Sequence, residues 1–329
     1  MRLTRVLVAA LAFAWVSAAY SQTAQPYPNQ PIRIVVPYGP GGATDIVARI
    51  LGERMTTLLG QPVVVENKAG GNGVVAIQDV VRSKPDGYTL LIGNVTTNTL
   101  NPIIVGKEMP VDPFKELVPI TKLIEVPAIF LATKVNFPPS TIQEVVAYAK
   151  ANPGAVNFNS AGYLAYSHLD FIQLQKRTGI EMTLIPLKAG AGGGQIDLIN
   201  GEVHVAIQNA ATVLPLVQSG KLKALAVTGD KRLAGLPDVP TTKEAGFEGW
   251  GTNAWQALFA PAGTPQPIVD KIFATVKEIM ISDDAKKKFA DVTMTITLSD
   301  SPAGAAKWLQ SERVAWEPVV TEAKQLAKP

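Results

Sequence analysis

The stretch that most constrains the fold is IRIVVPYGPGGATDIVARILGERM, residues 32–55. Ile32 to Val36 is a short, mostly β-branched run broken only by Arg33, which suits a buried strand. The run stops at Pro37. Tyr38-Gly39-Pro40-Gly41-Gly42 then passes with few side chains. Thr44 and Asp45 introduce Ile46, Val47, Ile50, Leu51 and Met55, which share one face at helical spacing. Thr44 reads as the N-cap. A strand, a bare loop and a helix start leave main-chain N–H groups at the positive end of a helix dipole, a natural seat for an anion. The competing reading is a tight glycine turn with no ligand.

The same unit recurs. Gln61–Asn67 reads as a strand before the small-residue loop Lys68–Gly73 and a helix over Val74–Arg82. Tyr88–Ile92 is a third strand, ending in Gly93, Asn94, Val95, Thr96 and Thr97. Three such units predict a parallel sheet covered on both faces. Residues 101–125 read as irregular and proline-punctuated. Strands resume at Val126–Thr133, Val156–Asn159, Met182–Leu187, Val203–Ile207 and Leu222–Val227, with a helix capped at Ser140 or Thr141 and small-residue loops at Ser160–Ser167 and Lys188–Gly194. Trp250–Ala260 reads as a strand or crossover, and amphipathic helices close the chain at Thr264–Ile281 and Pro302–Leu326. Two batches of strand–loop–helix units predict two α/β lobes with a cleft between their strand ends. The expected division is residues 26–126 with 255–329 in one lobe and 127–254 in the other.

Arg2 and Arg5 before the apolar run Val6–Val16, followed by small residues, read as an export leader of about 25 residues. The run is too short to read as a span, and a periplasmic location is expected. The chain has 329 residues and a formal charge of +3, which falls by two when Arg2 and Arg5 leave. No basic stripe speaks for nucleic acid. Cysteine is absent, which rules out disulfides and thiol chemistry.

The anion donors expected in the first lobe are the N–H groups of Gly41, Gly42, Ala43 and Thr44, in a loop bounded by Tyr38 and Asp45. Across the cleft stand Ser160, Ala161, Gly162, Ser167 and His168, with Asn94, Thr96, Thr97 and Gln208 at strand ends. Lys68 and Lys188 are the nearby cations. Enzyme readings find little. His204 lies in an apolar strand, and His168 beside Ser167 and Asp170 builds no triad by adjacency. A dinucleotide site would use Gly39-x-Gly41 and Glu66, but Thr44 stands where the third glycine belongs. No cofactor or metal is expected.

The segments VVPYGPGGATDIVAR, KPDGYTLLIGN, NSAGYLAYSHLD, LPDVPTTKEAGF and APAGTP, in this order, resemble the Bug family of solute-binding receptors of tripartite tricarboxylate transporters. The resemblance spans roughly residues 28–325. It implies a type II periplasmic-binding-protein fold of two Rossmann-like lobes, an α/β class, with binding loops at Tyr38–Asp45 and Ser160–His168. It also implies a carboxylate ligand, delivery to membrane permease subunits, and action as a monomer rather than an enzyme. A sensing receptor that presents the loaded protein to a membrane signalling partner is the alternative. Tyr163, Leu164 and Tyr166 depart from the family's small residues, Lys188 lies in an altered Pro-Leu-Lys-Ala segment, and Gln208 stands near a common acidic position. These departures predict a more apolar wall, and a mono- or dicarboxylate with an aliphatic or aromatic body.

Overall fold

The structure is a computed structural model describing residues 27–160, 162–185 and 190–326. The leader, Ala161 and Lys188 lie outside the described residues. The opening follows the sequence pattern. Strand β1 (Ile32–Val36) feeds α1 (Ala43–Leu59), and β2 (Val63–Asn67) feeds α2 (Val74–Val81) through a 3-10 turn at Gly71–Gly73. Strand β3 (Thr89–Asn94) runs into a π-helical turn, Val95–Leu100, continued by α3 (Asn101–Val105). Strand β1 lies between β2 and β3, parallel to both.

The expectation of irregular chain over 101–125 is overturned. After α4 (Pro113–Glu116) comes β4 (Leu117–Val126), a ten-residue strand. Pro119 disguised it, since proline interrupts a ladder. Here Pro119 falls where the register against the later strand β10 slips, next to Phe259. The three opening strands pair in parallel as expected, and β10 joins them antiparallel to both β3 and β4.

The second sheet collects β5 (Ala128–Ala132), β6 (Val156–Asn159), β7 (Met182–Leu184), β8 (Val205–Asn209) and β9 (Lys223–Val227) in the order β7-β6-β8-β5-β9. Between them run α5 (Ile142–Ala151), α6 (Tyr166–Thr178), α7 (Gly190–Asn200) and α8 (Ala210–Gln218). Thr141 caps α5, accepting from the Glu144 amide at 3.1 Å. Helix α7 starts at Gly190, so Gly190–Gly194 is helical and not loop. Glycine is a poor helix former on its own, and a tertiary bond helps hold this turn: Asn159 Nδ2 donates to the Gly194 carbonyl at 3.0 Å.

The chain then returns through β10 (Ala254–Pro261), α9 (Gln266–Ile281), an unanticipated charged helix α10 (Asp283–Asp291), β11 (Thr295–Ile296) and α11 (Pro302–Leu326). The first sheet has the order β11-β4-β10-β3-β1-β2.

Two passages join the sheets, Pro127 on the way out and 250–253 on the way back. A single hydroxyl ties them. Thr228 Oγ1 accepts from the Ala128 amide at 2.7 Å and donates to Asn253 Oδ1 at 2.7 Å. Gly251 sits at φ +95° against it, and a Cβ there would lie 2.6 Å from Thr228 Cγ2. Asp170, on α6, takes two bonds from Thr252, from the amide at 3.1 Å and the hydroxyl at 2.8 Å. Trp250 Nε1 donates to the Asp170 carbonyl.

The core runs through this junction. Phe130 of β5 meets Phe171 of α6 and Trp250 of the return passage at 5.8 and 5.5 Å between ring centroids, both edge-on. One apolar cluster contains Val35, Leu91 and Phe259 of the first sheet together with Phe130 and Phe158 of the second. Phe130→Ala, opening a cavity at this shared position, costs about 3–5 kcal/mol; chemical denaturation measures it, and a loss below about 1 kcal/mol would place the shared core elsewhere.

Candidate functional site

The site begins at the carboxyl end of β1. Helix α1 has Gly42 in the N-cap position, at φ −79° and ψ 167°, and no side chain caps it. The expected N-cap, Thr44, is corrected: its hydroxyl donates instead to Gln256 Oε1 of β10 at 2.9 Å, both groups buried. The N–H groups of Gly42, Ala43 and Thr44 therefore make no hydrogen bond with any described residue. These are orphan donors of a helix start, aligned with its dipole.

Two expected members of this group have other tasks. The Gly41 amide donates to Asp45 Oδ2 at 2.9 Å and is already engaged. Asp45 also accepts from Arg49 Nε and from Asn67 Nδ2, each at 2.9 Å. Burial pushes the Asp45 pKa up, but the bonds from Arg49, Gly41 and Asn67 together outweigh it and hold the carboxyl below its ordinary value. Asp45 is thus a clamp on the loop, and its oxygens are occupied. Asn67 Nδ2 reaches the Tyr38 carbonyl as well, at 3.0 Å. Arg49, Asn67 and Gln256 carry the loop; Arg49 reaches Asp45 one helical turn away, while only their distant partners reveal Asn67 and Gln256.

At the end of β3, Asn94 and Thr97 form a reciprocal capping box across the π-helical turn. Asn94 Oδ1 accepts from the Thr97 amide at 3.1 Å and from the Tyr38 hydroxyl at 3.3 Å. Burial pushes the Tyr38 phenol up to about 12, so it stays a donor. Of the expected Thr96 and Thr97, it is Thr97 that organises this corner; the Thr96 hydroxyl has no hydrogen-bond partner among the described residues and is not sealed from solvent. Gly93 is required here, since a Cβ would stand 2.0 Å from Asn98 Oδ1. Such π-turns recur at functional sites.

The second lobe supplies a tight turn before α6. Ser160 Oγ donates to the Gly162 carbonyl at 2.7 Å and accepts from its amide at 3.3 Å. Leu164 takes a left-handed φ of +56°, and its amide donates to His168 Nδ1 at 3.0 Å. Burial pushes His168 down to about 4. His168 is therefore a neutral imidazole whose Nδ1 fixes the turn and whose proton sits on Nε2, where it is a donor. Tyr163 is exposed and stacks edge-on against His168 at 5.4 Å. The Tyr166 hydroxyl donates to Asn209 Oδ1 at 3.0 Å. Neither the Ser167 hydroxyl nor the side chain of Gln208, half-buried at the end of β8, has a hydrogen-bond partner among the described residues, and neither is sealed from solvent.

The two loops meet. A Cβ on Gly162 would lie 3.2 Å from Asn72 Oδ1 of the first lobe, and Asn72 is held by a reciprocal pair of bonds with Asn101. Burial raises the Tyr166 pKa most, with Asp170 and Tyr38 adding to it, which puts the two phenols near each other. The structure thus gathers Tyr38, Asn94, Gly162 and Tyr166. Lys68, by contrast, is paired with Glu66 and Asp79, and Glu66 also binds Arg33. This removes Lys68 as an anion donor and Glu66 as a ribose acceptor. Two other concavities lie apart from these loops: an open groove of about 1170 Å³ between α3–α4 and α11, and one of about 410 Å³ between α6 and α11 beside Trp250. Among the described residues, no cluster of three or more His, Cys, Asp or Glu could hold a metal.

Two sheets in this order, joined by two passages, describe a two-lobed solute-binding protein of the periplasmic-binding-protein fold. The chain belongs to the family described as the tripartite tricarboxylate transporter family receptor, whose profile matches residues 47–325. Protein BugT of Bordetella pertussis is 35% identical over 329 residues, with 98% of each chain covered. An adipate-bound protein from R. palustris superposes with a TM-score of 0.85 at 31% identity, over 91% of this chain and 98% of that one. MatC from Rhodopseudomonas palustris, with bound malate, gives 0.80 at 32% identity, over 89% and 100%.

The buried groups of α6 predict an acid–base signature. Burial raises the Asp170 carboxyl to about 7 against the opposing bonds from Thr252. A raised acid stabilises the fold while protonated, so its contribution is lost as pH climbs from 3.8 through about 7. A depressed base works the other way, and the His168 contribution is lost as pH falls from 6.5 through about 4. Between those limits the two oppose each other. In Asp170→Asn the opposing slope is removed and that of the two depressed histidines, His168 and His204, is left: thermal melts rise more steeply with pH up to about 6.5 than in the parent, and the parent's decline just above that value disappears. Superimposable pH profiles would contradict this.

Proposed function

We propose that the chain is an extracytoplasmic receptor that closes two lobes, residues 26–126 with 255–329 and residues 127–254, on a small carboxylate-bearing solute. It then delivers the solute to the membrane permease subunits of a tripartite tricarboxylate-type transporter. The observation that carries the reading is the set of unengaged N–H groups of Gly42, Ala43 and Thr44 at the uncapped start of α1. An anion there completes donors that the fold leaves open. Family membership and the adipate and malate bound by two relatives support a carboxylate. The rings of Tyr38 and Tyr166 supply an apolar wall, which favours a mono- or dicarboxylate with an aliphatic or aromatic body.

The chain works in the periplasm, as a monomer, without a cofactor or a catalytic step. Solute enters between the lobes and contacts both loops, and closure is driven by contacts made only in the closed form. The permease recognises that form. Mass spectrometry of solute released from the purified protein identifies the ligand. Uptake of that solute in a strain lacking the gene tests delivery; undiminished uptake would favour the sensing role.

The glycine loop gives a direct test. A Cβ at Gly42 meets nothing within 4 Å, and its φ suits any residue. Gly42→Leu therefore folds with an unchanged melting temperature yet covers the α1 amides, and calorimetric affinity for the co-purifying solute falls by about a hundredfold or more. Retained affinity would reduce the loop to a turn.

A further inference from the structure

We propose that Asn209 and Asn94 are the specificity-determining donors for the end of the solute that α1 does not hold; this rests on the receptor reading above. Each carboxamide is oriented by a tyrosine of its own lobe. Tyr166 donates to Asn209 Oδ1 at 3.0 Å, and Tyr38 donates to Asn94 Oδ1 at 3.3 Å. Asn94 Oδ1 is used a second time by the Thr97 amide. In both residues the oxygen is engaged and the Nδ2 group has no partner among the described residues. Neither Nδ2 is sealed in the interior without a partner, as Asn98 Nδ2 is.

Asn209 makes the case most clearly. It occupies the N-cap position of α8, where an asparagine side chain ordinarily accepts from the first helical amides. It makes no such bond. Its oxygen turns to Tyr166 instead, which leaves the NH2 group as its outward chemistry. The two tyrosines lie near enough for Tyr38 to raise the Tyr166 pKa, and the loops behind them touch at Gly162 and Asn72. The two pairs therefore face one cleft.

An NH2 group donates two hydrogens and accepts none. Two of them, framed by phenol rings, select a solute whose free end is a hydrogen-bond acceptor: a second carboxylate or its amide. An amine-ended or purely hydrocarbon tail finds no partner and leaves buried donors unmatched, which is the costly outcome. The class assigned is a molecule with an acceptor at each end of an apolar body.

Calorimetric titration with two matched pairs, adipate against hexanoate and terephthalate against benzoate, tests this. The parent binds at least one diacid about tenfold tighter than its monoacid. Asn209→Ala shrinks that ratio by about fivefold while the monoacid affinity holds. Asn209→Asp keeps an acceptor for Tyr166, so the fold is retained, but it replaces the donors with a negative charge and turns the preference toward the monoacid. An unchanged ratio in both variants, with melting temperatures retained, overturns the proposal. So does a parent that binds neither diacid or prefers the monoacids. The receptor reading is judged separately, by Gly42→Leu and by the co-purifying solute.

Discussion

The site depends on the Asp45 carboxylate. A glycine-rich loop has no side chains of its own to fix it, and glycine carries the largest entropy cost of ordering. Asp45 takes the Gly41 amide, Arg49 and Asn67 together, and Asn67 reaches on to the Tyr38 carbonyl. The loop is thus pinned at both ends by one buried anion and one carboxamide. Everything beyond it, the open amides of α1 and the placing of Tyr38 over Asn94, follows from that pin. The charge that holds the loop points backward into the fold, so the loop's forward side is left to neutral N–H groups.

The second lobe uses an inverted version of the same economy. His168, kept neutral by burial, accepts a main-chain amide and so fixes a turn that runs through left-handed Leu164. Two residues later on α6, on a different face of the helix, Asp170 grips Thr252 of the return passage. Helix α6 therefore connects the cleft loop to the junction between lobes through two short steps. Thr228, binding both passages with one hydroxyl, keeps them side by side where they cross between the two sheets.

Much of this was readable in the chain. The three opening strands, the loops after them and the return to the first sheet near Trp250–Ala260 all follow from local apolar patterns. What escaped was decided at a distance. Strand β4 was hidden by Pro119, which is tolerated because its neighbour slips register. The glycines of α7 signalled a loop, and a carbonyl bond from Asn159 helped make a helix. Thr44 had the residue type of a cap, and a partner 212 residues away claimed its hydroxyl. Asp45 was placed in the right loop, and its work as the clamp on that loop escaped, because sequence shows which groups are near a site and not which of their atoms are already used. Asn67, Gln256 and Asn209 sit at strand ends or in ordinary strand positions with no motif, so no local signal marked them.

The donors proposed for the cleft carry no formal charge: helix amides from Gly42 to Thr44 and the carboxamides of Asn94 and Asn209. Mobile ions weaken attraction between exposed opposite charges most, and they do far less to short hydrogen bonds inside a closed cavity. A receptor built this way keeps its hold as the salinity of its surroundings swings, where an arginine fork exposed to the same brine would slacken.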